Sequence, residues 1–272
     1  MTSRYLGPAT VVGNTACAEG FYLMRLEAPG FPAEIEPGQF VHLRLTGNCD
    51  PFLRRPFSIC DLFPGRAGAP ARLDLLYEVV GRGTAKMAAM AAGTEVSLLG
   101  PQGHGYRLPP ASRTPVLVGG GVGIPPLLYL AKRLIAAGTA PGRIRVLLGA
   151  RTVGALCLER ELRELGTRVE VATDDGTRGR KGFVTALLED ALREDPAAEV
   201  LTCGPTPMLE AVAAIARRTG TPCQISLENR MGCALGACRA CVWPVKDPGG
   251  DSWHYETVCR EGPVFDLQRL IL

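Results

Sequence analysis

The chain has 272 residues and a mass of 28.9 kDa, enough for two or three packed units with separate cores. A hydrophobic fraction of 46% with 21% charged residues excludes wholesale disorder, and a formal net charge of +3 gives no argument for a nucleic-acid partner. The amino terminus, Met1-Thr-Ser-Arg-Tyr-Leu-Gly-Pro8, carries no apolar signal core. The longest membrane-like run, Val116 to Leu130, is 15 residues broken by glycines and two prolines, whereas a spanning helix needs about 20. The expectation is a cytoplasmic chain that crosses no membrane.

Residues 1–110 read as strands. Short apolar or alternating runs (Thr10–Val12, Phe21–Leu26, Phe40–Leu45, Phe57–Leu62, Leu73–Val80, Glu95–Leu98) alternate with Gly, Pro and Asn, the pattern of an antiparallel barrel or sandwich. One short helix is expected from Gly83-Thr84 through Met90. Within this stretch Arg54-Arg55-Pro56-Phe57-Ser58 begins a strand, and Tyr77-Glu78-Val-Val-Gly81-Arg-Gly83-Thr84 leads from a strand into the helix. A guanidinium, a hydroxyl and a helix start suit a diphosphate, though a surface Arg pair beside a glycine turn explains the same residues equally well.

Residues 111–227 change rhythm. Val116-Leu-Val-Gly119 is a buried strand, followed by a glycine-rich turn and a helix from Pro125 to Ala137 with Leu127, Ala131, Leu134 and Ile135 on one face. Strands at 144–148, 169–173, 200–203 and 224–227 alternate with helices at 158–165, 184–193 and 208–218, which predicts a doubly wound parallel sheet. The turn Gly119-Gly-Gly121-Val-Gly123-Ile-Pro125-Pro126 lets backbone approach a pyrophosphate, with helix N–H groups as donors and prolines where no N–H is needed. Arg151 after the second strand suits a 2′-phosphate or stands in solvent, so NAD and NADP both remain open. Asp174-Asp175 reads as a turn, and His42, His104 and His254 are isolated and receive no catalytic role.

Four of the ten cysteines fall in the last 40 residues, spaced Cys233-x4-Cys238-x2-Cys241-x17-Cys259. This is the plant-type 2Fe-2S ligand pattern. Small neighbours Gly232, Ala234, Gly236, Ala237 and Ala240 let the backbone wrap the cluster and aim N–H groups at its sulfurs. Structural zinc is the competing reading, but only Cys238/Cys241 has the close spacing zinc sites use in pairs. Cys17, Cys49, Cys157 and Cys223 show no partner spacing and read as ordinary core or surface thiols, whereas Cys60 and Cys203 adjoin the proposed cofactor motifs.

Together these motifs resemble the ferredoxin–NADP reductase superfamily, and within it the electron-transfer subunits of type B dihydroorotate dehydrogenase. The matching residues are Arg55-Pro56-Phe57-Ser58, Gly121 to Pro126, Cys203-Gly204-Pro-Thr-Pro-Met208, and the loop from Ser226 to Cys241. The resemblance spans essentially the whole chain. It implies an FAD-binding β-barrel (1–110), a pyridine-nucleotide-binding domain (111–227) and a small 2Fe-2S domain (228–272). It further implies FAD at Arg55, Pro56, Phe57 and Ser58, with Leu76, Tyr77 and Glu78 lining the nucleotide and Gly83-Thr84 at its pyrophosphate. Gly121, Gly123, Cys203 and Gly204 would serve NAD. The 17 residues before Cys259 make a slightly long run, read as a hairpin insertion.

A nicotinamide exchanges two electrons as hydride, an iron–sulfur cluster carries one, and a flavin does both, so the flavin belongs between them. The resemblance implies a partner, the FMN-containing catalytic subunit that oxidises dihydroorotate in pyrimidine biosynthesis, in a heterotetramer with two copies of each. The alternatives are the same module serving a ferredoxin:NAD(P) oxidoreductase, a sulfide dehydrogenase or a hydrogenase, or a non-redox nucleotide module with structural zinc.

Overall fold

The computed structural model describes residues 4–47, 50–66, 69–249 and 252–272, so Cys49 lies outside the described residues. Strands β1 (Tyr5–Ala18), β2 (Phe21–Ala28), β3 (Phe40–Leu45), β4 (Arg55–Ser58), β5 (Asp61–Phe63), β6 (Ala71–Glu78) and β7 (Glu95–Gln102) form one antiparallel sheet, ordered β4-β3-β7-β1-β2-β6-β5. The sheet curls so that its two edge strands are joined through Ile59–Cys60 alone. Val11, Met24, Leu26, Leu43, Leu73, Leu75 and Leu98 fill the inside, fully buried.

Two strands differ from expectation. The run Phe57–Leu62 is two strands, because Ile59 N–H turns to the Gln39 carbonyl (3.3 Å) and Cys60 N–H to Asp74 (2.9 Å), moving the chain from β3 to β6. β1 extends far beyond Thr10–Val12, since apolar Leu6 and Val12 stand among its exposed positions and blur the alternation. Register breaks at Val11/Gly13 and Ala16/Ala18 mark bulges in it. Helix α1 (Arg82–Ala88) follows β6 as expected.

The second sheet takes β8 (Thr114–Gly120), β9 (Arg145–Ala150), β10 (Arg168–Thr173), β11 (Arg180–Lys181), β12 (Ala198–Cys203) and β13 (Cys223–Ser226), all parallel and ordered β11-β10-β9-β8-β12-β13. Helices α2 (Pro125–Ala136), α3 (Glu159–Glu164), α4 (Val184–Glu194) and α5 (Thr206–Thr219) complete the doubly wound unit. The sequence pattern gives α2 one apolar face, but Pro125 to Ala131 are all buried. The helix lies between the sheet and the barrel: Leu127, Leu130 and Leu134 join the sheet's core while Tyr129 enters the barrel's. Lys132 pairs with the buried Asp61 of β5 on the barrel side.

After β13 the chain forms the cysteine loop and a hairpin, β14 (Val242–Lys246) with β15 (Trp253–Thr257). It then returns as β16 (Val264–Asp266), which pairs antiparallel with β13, Gln224 opposite Asp266. A three-residue strand with no alternation of its own leaves no periodic signal, and the sequence reading missed it.

Since β8 and β12 are neighbours whose following helices leave on opposite sides, a crevice opens beyond their carboxyl ends. Gly123 fixes its width: a Cβ there would stand 2.3 Å from the carbonyl carbon and oxygen of Cys203 and 2.4 Å from the Gly204 nitrogen. Replacing Gly123 with Ala should cost about 1–3 kcal/mol, as core overpacking does. Gly142→Ala, where a Cβ meets nothing within 4 Å, is the control and should leave the chemical-denaturation midpoint in place.

Candidate functional site

Two cavities meet at this crevice. One, of about 490 Å³, runs between the barrel, the turn after β12 and the segment leading to the cysteine loop. Pro56, Phe57, Ser58, Leu76, Tyr77, Glu78 and Thr84 line it from the barrel, Cys203 from the end of β12, and Glu228 and Met231 from the segment beyond β13. The other, of about 580 Å³, lies over the carboxyl ends of β8, β9 and β10, where Gly120, Gly121, Arg151 and Asp174 face it. Glu78, Val122 and Pro205 line both. The two cavities therefore share a wall.

The barrel side is rigid where it faces the first cavity. Tyr77 is buried, stacks on Tyr22 with centroids 5.8 Å apart, and meets Phe57 edge-on at 5.9 Å. Its hydroxyl donates to Asn14 Oδ1 at 3.1 Å, and Asn14 Nδ2 in turn donates to the Met87 carbonyl at 2.7 Å, tying the wall to α1. Burial, the leading cause, pushes the Tyr77 phenol up to about 12, so it stays protonated.

A third hollow, of about 530 Å³, opens on the barrel rim between Arg55, Pro56, Phe57 and the turn Val80–Thr84. Arg55 lies across Gly83 so closely that a Cβ there would stand 2.0 Å from its Nε. Its guanidinium donates to the Leu53 carbonyl at 2.6 Å and keeps donors for an anion in the hollow. The Thr84 hydroxyl is engaged in its own turn, accepting from Val80 N–H (3.0 Å) and Gly81 N–H (3.2 Å), so it shapes the turn. Gly123 and Gly204 face neither large cavity and form the tight packing behind the shared wall, whereas Gly121, at φ 54° with open space beyond it, borders the second cavity.

The cysteine loop brings its four thiols together as two pairs, Cys233 beside Cys238 and Cys241 beside Cys259. Ala234 (φ 57°), Gly236 (φ 78°) and Arg239 (φ 53°) take left-handed backbone, which coils the loop tightly enough to aim N–H groups inward. Cys233 Sγ accepts from Leu235 N–H at 3.3 Å and Cys238 N–H at 3.4 Å, and Cys259 Sγ accepts from Gly236 N–H at 3.2 Å. Burial raises the Cys233 thiol, but the N–H groups of Cys238 and Leu235 outweigh it and hold it at about 7. Burial, then the neighbouring Cys241, pushes Cys259 up to about 12. Among the described residues no three His, Cys, Asp or Glu side chains converge on one point as a single-ion site does. N–H groups aimed at the Cys233 and Cys259 sulfurs suit the thiolates of a 2Fe-2S cluster, which the cysteine spacing also matches.

Two carboxylates escaped the sequence reading. Asp174 follows β10 and lines the second cavity with Arg151, where a turn residue alone had been expected. Glu228 opens onto the first cavity; the protein crowding its carboxyl, and then Glu78 beside it, raise its pKa above the ordinary carboxylate range. Neither position carries a spacing signal, because both arrive through the fold. His42 is wholly buried in β3, and burial followed by Arg54 lowers its imidazole to about 4, leaving it neutral.

A raised carboxyl destabilises the folded chain above its folded pKa, and the penalty fades as pH falls towards the unfolded value. Glu228→Gln should therefore raise the melting temperature at about pH 8, with the gain shrinking towards about pH 4. Thermal melts of both chains across that range check the sign.

Fold and site together define an oxidoreductase of the ferredoxin-reductase type. Residues 228–271 match the iron–sulfur cluster binding domain of dihydroorotate dehydrogenase B, and residues 117–214 an oxidoreductase NAD-binding domain. The chain is 39% identical over 269 residues to the electron transfer subunit of dihydroorotate dehydrogenase B (NAD(+)) of Shouchella clausii, covering 98% of each chain. The like-named protein of Bacillus cereus strain B4264 is 39% identical over 265 residues, 96% of this chain and 97% of that one. A solved structure of an NADH-dependent reduced ferredoxin–NADP oxidoreductase superposes with a TM-score of 0.78 at 28% identity, covering 100% of this chain and 91% of that one. The ferredoxin reductase of carbazole 1,9a-dioxygenase shares the fold, with a TM-score of 0.70 at 23% identity over 80% of this chain and 67% of that one. The chain belongs to the family of electron transfer subunits of dihydroorotate dehydrogenase B.

Proposed function

We propose that this chain passes electrons between a catalytic partner that oxidises dihydroorotate and NAD, using one 2Fe-2S cluster and one FAD. The observation that carries the reading is the shared wall of Glu78, Val122 and Pro205: one cavity adjoins the cysteine loop at Met231, the other is the nucleotide crevice, and the two are in contact. When bound, the flavin supplies the exchange between two-electron hydride chemistry and one-electron transfer. The residues assigned to hold it are Arg55, Pro56, Phe57, Ser58, Leu76, Tyr77, Glu78, Gly83 and Thr84, with Arg55 towards the diphosphate. The cluster is assigned to Cys233, Cys238, Cys241 and Cys259, and the nucleotide to the crevice that Gly121 borders, with Gly123 and Gly204 packed behind its wall and Cys203 on the flavin side.

Cys241 and Cys259 are buried while Cys238 is exposed and Cys233 half-buried, which supports docking of the partner on the Cys233/Cys238 side. The partner is taken to hold FMN and to assemble as two copies of each chain, as the family resemblance implies. Domain bounds of 1–110, 111–227 and 228–272 follow the change from one sheet to the next and then to the cysteine loop. Among the described residues all cysteines are free thiols and no helix is long and apolar enough to cross a membrane, which supports a cytoplasmic setting. Asp174 favours NAD, because a carboxylate accepts from a ribose diol and repels a 2′-phosphate.

Chain purified with iron supplied should show flavin and cluster absorbance, and NADH should bleach the flavin band; a colourless, folded product that binds only zinc would sink the proposal. Cys238→Ser should lose most of its iron while retaining FAD, read as iron and flavin per chain. For the nucleotide choice, Asp174→Ser should narrow the preference for NAD+ over NADP+ by roughly tenfold, about 1.4 kcal/mol, in calorimetric titrations of both. An unchanged ratio would remove Asp174 from that role.

A further inference from the structure

The two thiols with no role in the sequence, Cys17 and Cys157, lie 140 positions apart yet come close enough to perturb one another. Cys17 is the residue skipped at the β1 bulge, between the pairs Ala16–Tyr22 and Ala18–Phe21, and the bulge turns it out of the strand's alternation. Cys157 follows β9 in the nucleotide unit and is buried against the apolar cluster that also holds Phe21 and Cys60. The contact is anchored next door. Glu19 N–H donates to the Gly154 carbonyl at 2.8 Å, and a Cβ on Gly154 would stand 3.0 Å from Glu19 Oε2. The barrel's first hairpin and the loop after β9 are thus held together, with one thiol on each.

The pair also has the asymmetry that thiol oxidation needs. Cys17 is exposed and Cys157 is buried. The neighbouring Cys157 thiol lowers Cys17 below its ordinary pKa, while Cys17 and then burial raise Cys157. An accessible, acidified thiol beside a buried one is the arrangement of an attacking and a resolving cysteine.

The geometry points to Cys17 and Cys157 as a hydroperoxide-responsive dithiol, whose disulfide ties the barrel to the nucleotide unit at the mouth of the nucleotide cavity. The Cys17 sulfur attacks one peroxide oxygen; the O–O bond breaks and the other oxygen leaves as water or alcohol. The sulfur is oxidised by two electrons to a sulfenic acid and the peroxide is reduced by two. Cys157 sulfur then forms the S–S bond, and the sulfenic oxygen departs as water with the Cys157 proton. Phe21, three residues beyond Ala18, and Ala155, two before Cys157, both line the nucleotide cavity, so the bond would fix its two lips relative to each other.

The test uses the full chain with FAD and cluster in place, treated with hydrogen peroxide, quenched in acid with an alkylating agent and digested with trypsin. Each thiol lies on a peptide with no other cysteine, residues 5–25 and 152–160. These should appear joined, separate on reduction, and be absent from Cys17→Ser and Cys157→Ser. In Cys157→Ser, Cys17 should be trapped by dimedone as the sulfenic acid. Amide exchange at residues 152–158 should slow roughly tenfold in the joined wild-type form. Wild-type chain in which Cys17 accumulates as sulfenic or sulfinic acid with no joined peptides, or joins a peptide other than 152–160, would overturn the proposal. So would joined chain with unchanged exchange over 152–158.

Discussion

The backbone contact between Gly123 and Cys203–Gly204 is the constraint on which the rest of the molecule depends. Val122 and Pro205, the residues next to it, line both large cavities, so the spacing of two parallel strand ends sets the place where the cavities touch. The same turn launches α2, whose Tyr129 enters the barrel core and whose Lys132 reaches Asp61. A close approach that only hydrogen in place of a side chain permits therefore positions a wall, a helix and the neighbouring barrel together.

The pairing of the cluster thiols follows from a similar economy of backbone. Ala234 and Arg239 accept left-handed conformations that cost side-chain-bearing residues of order 1 kcal/mol each. In return Leu235, Gly236 and Cys238 point N–H groups at sulfur. Donors fixed in this way would stabilise the thiolate charge of a cluster held there without reorganisation. The buried pair is packed into the core shared with α4, α5 and the parallel sheet, so the cluster loop stands on the nucleotide unit as its foundation.

Legibility in the sequence followed the length scale of each signal. The cysteine spacing and the glycine turn are local, because a cluster or a pyrophosphate is wrapped by one loop, and both stood out. Helices and parallel strands were legible from their apolar periods, with ends displaced by a residue or two, except β11, whose two residues Arg180 and Lys181 carry no apolar signal. β1 was read as a fragment because its exposed positions mix apolar Leu6 and Val12 with Pro8 and Thr10, and β16 left no pattern in its three residues. Asp174, Glu228 and the Cys17–Cys157 pair were illegible for another reason: each gains its meaning from a partner far along the chain. Gly123 and Gly204 carried the right motif with a different physical task, since they pack on each other's strands and leave the cavity to Gly121.

β16 has a consequence beyond topology. Strand β13 would otherwise end the parallel sheet with a row of unpaired N–H and C=O groups, a template on which a second chain can add a strand. At the opposite border, β11 is only two residues long and offers little to copy. The tail that returns from the cysteine loop thus covers the β13 border with the three-residue β16, so that the sheet ends on a short strand at both sides, one of the ways edges are made poor templates.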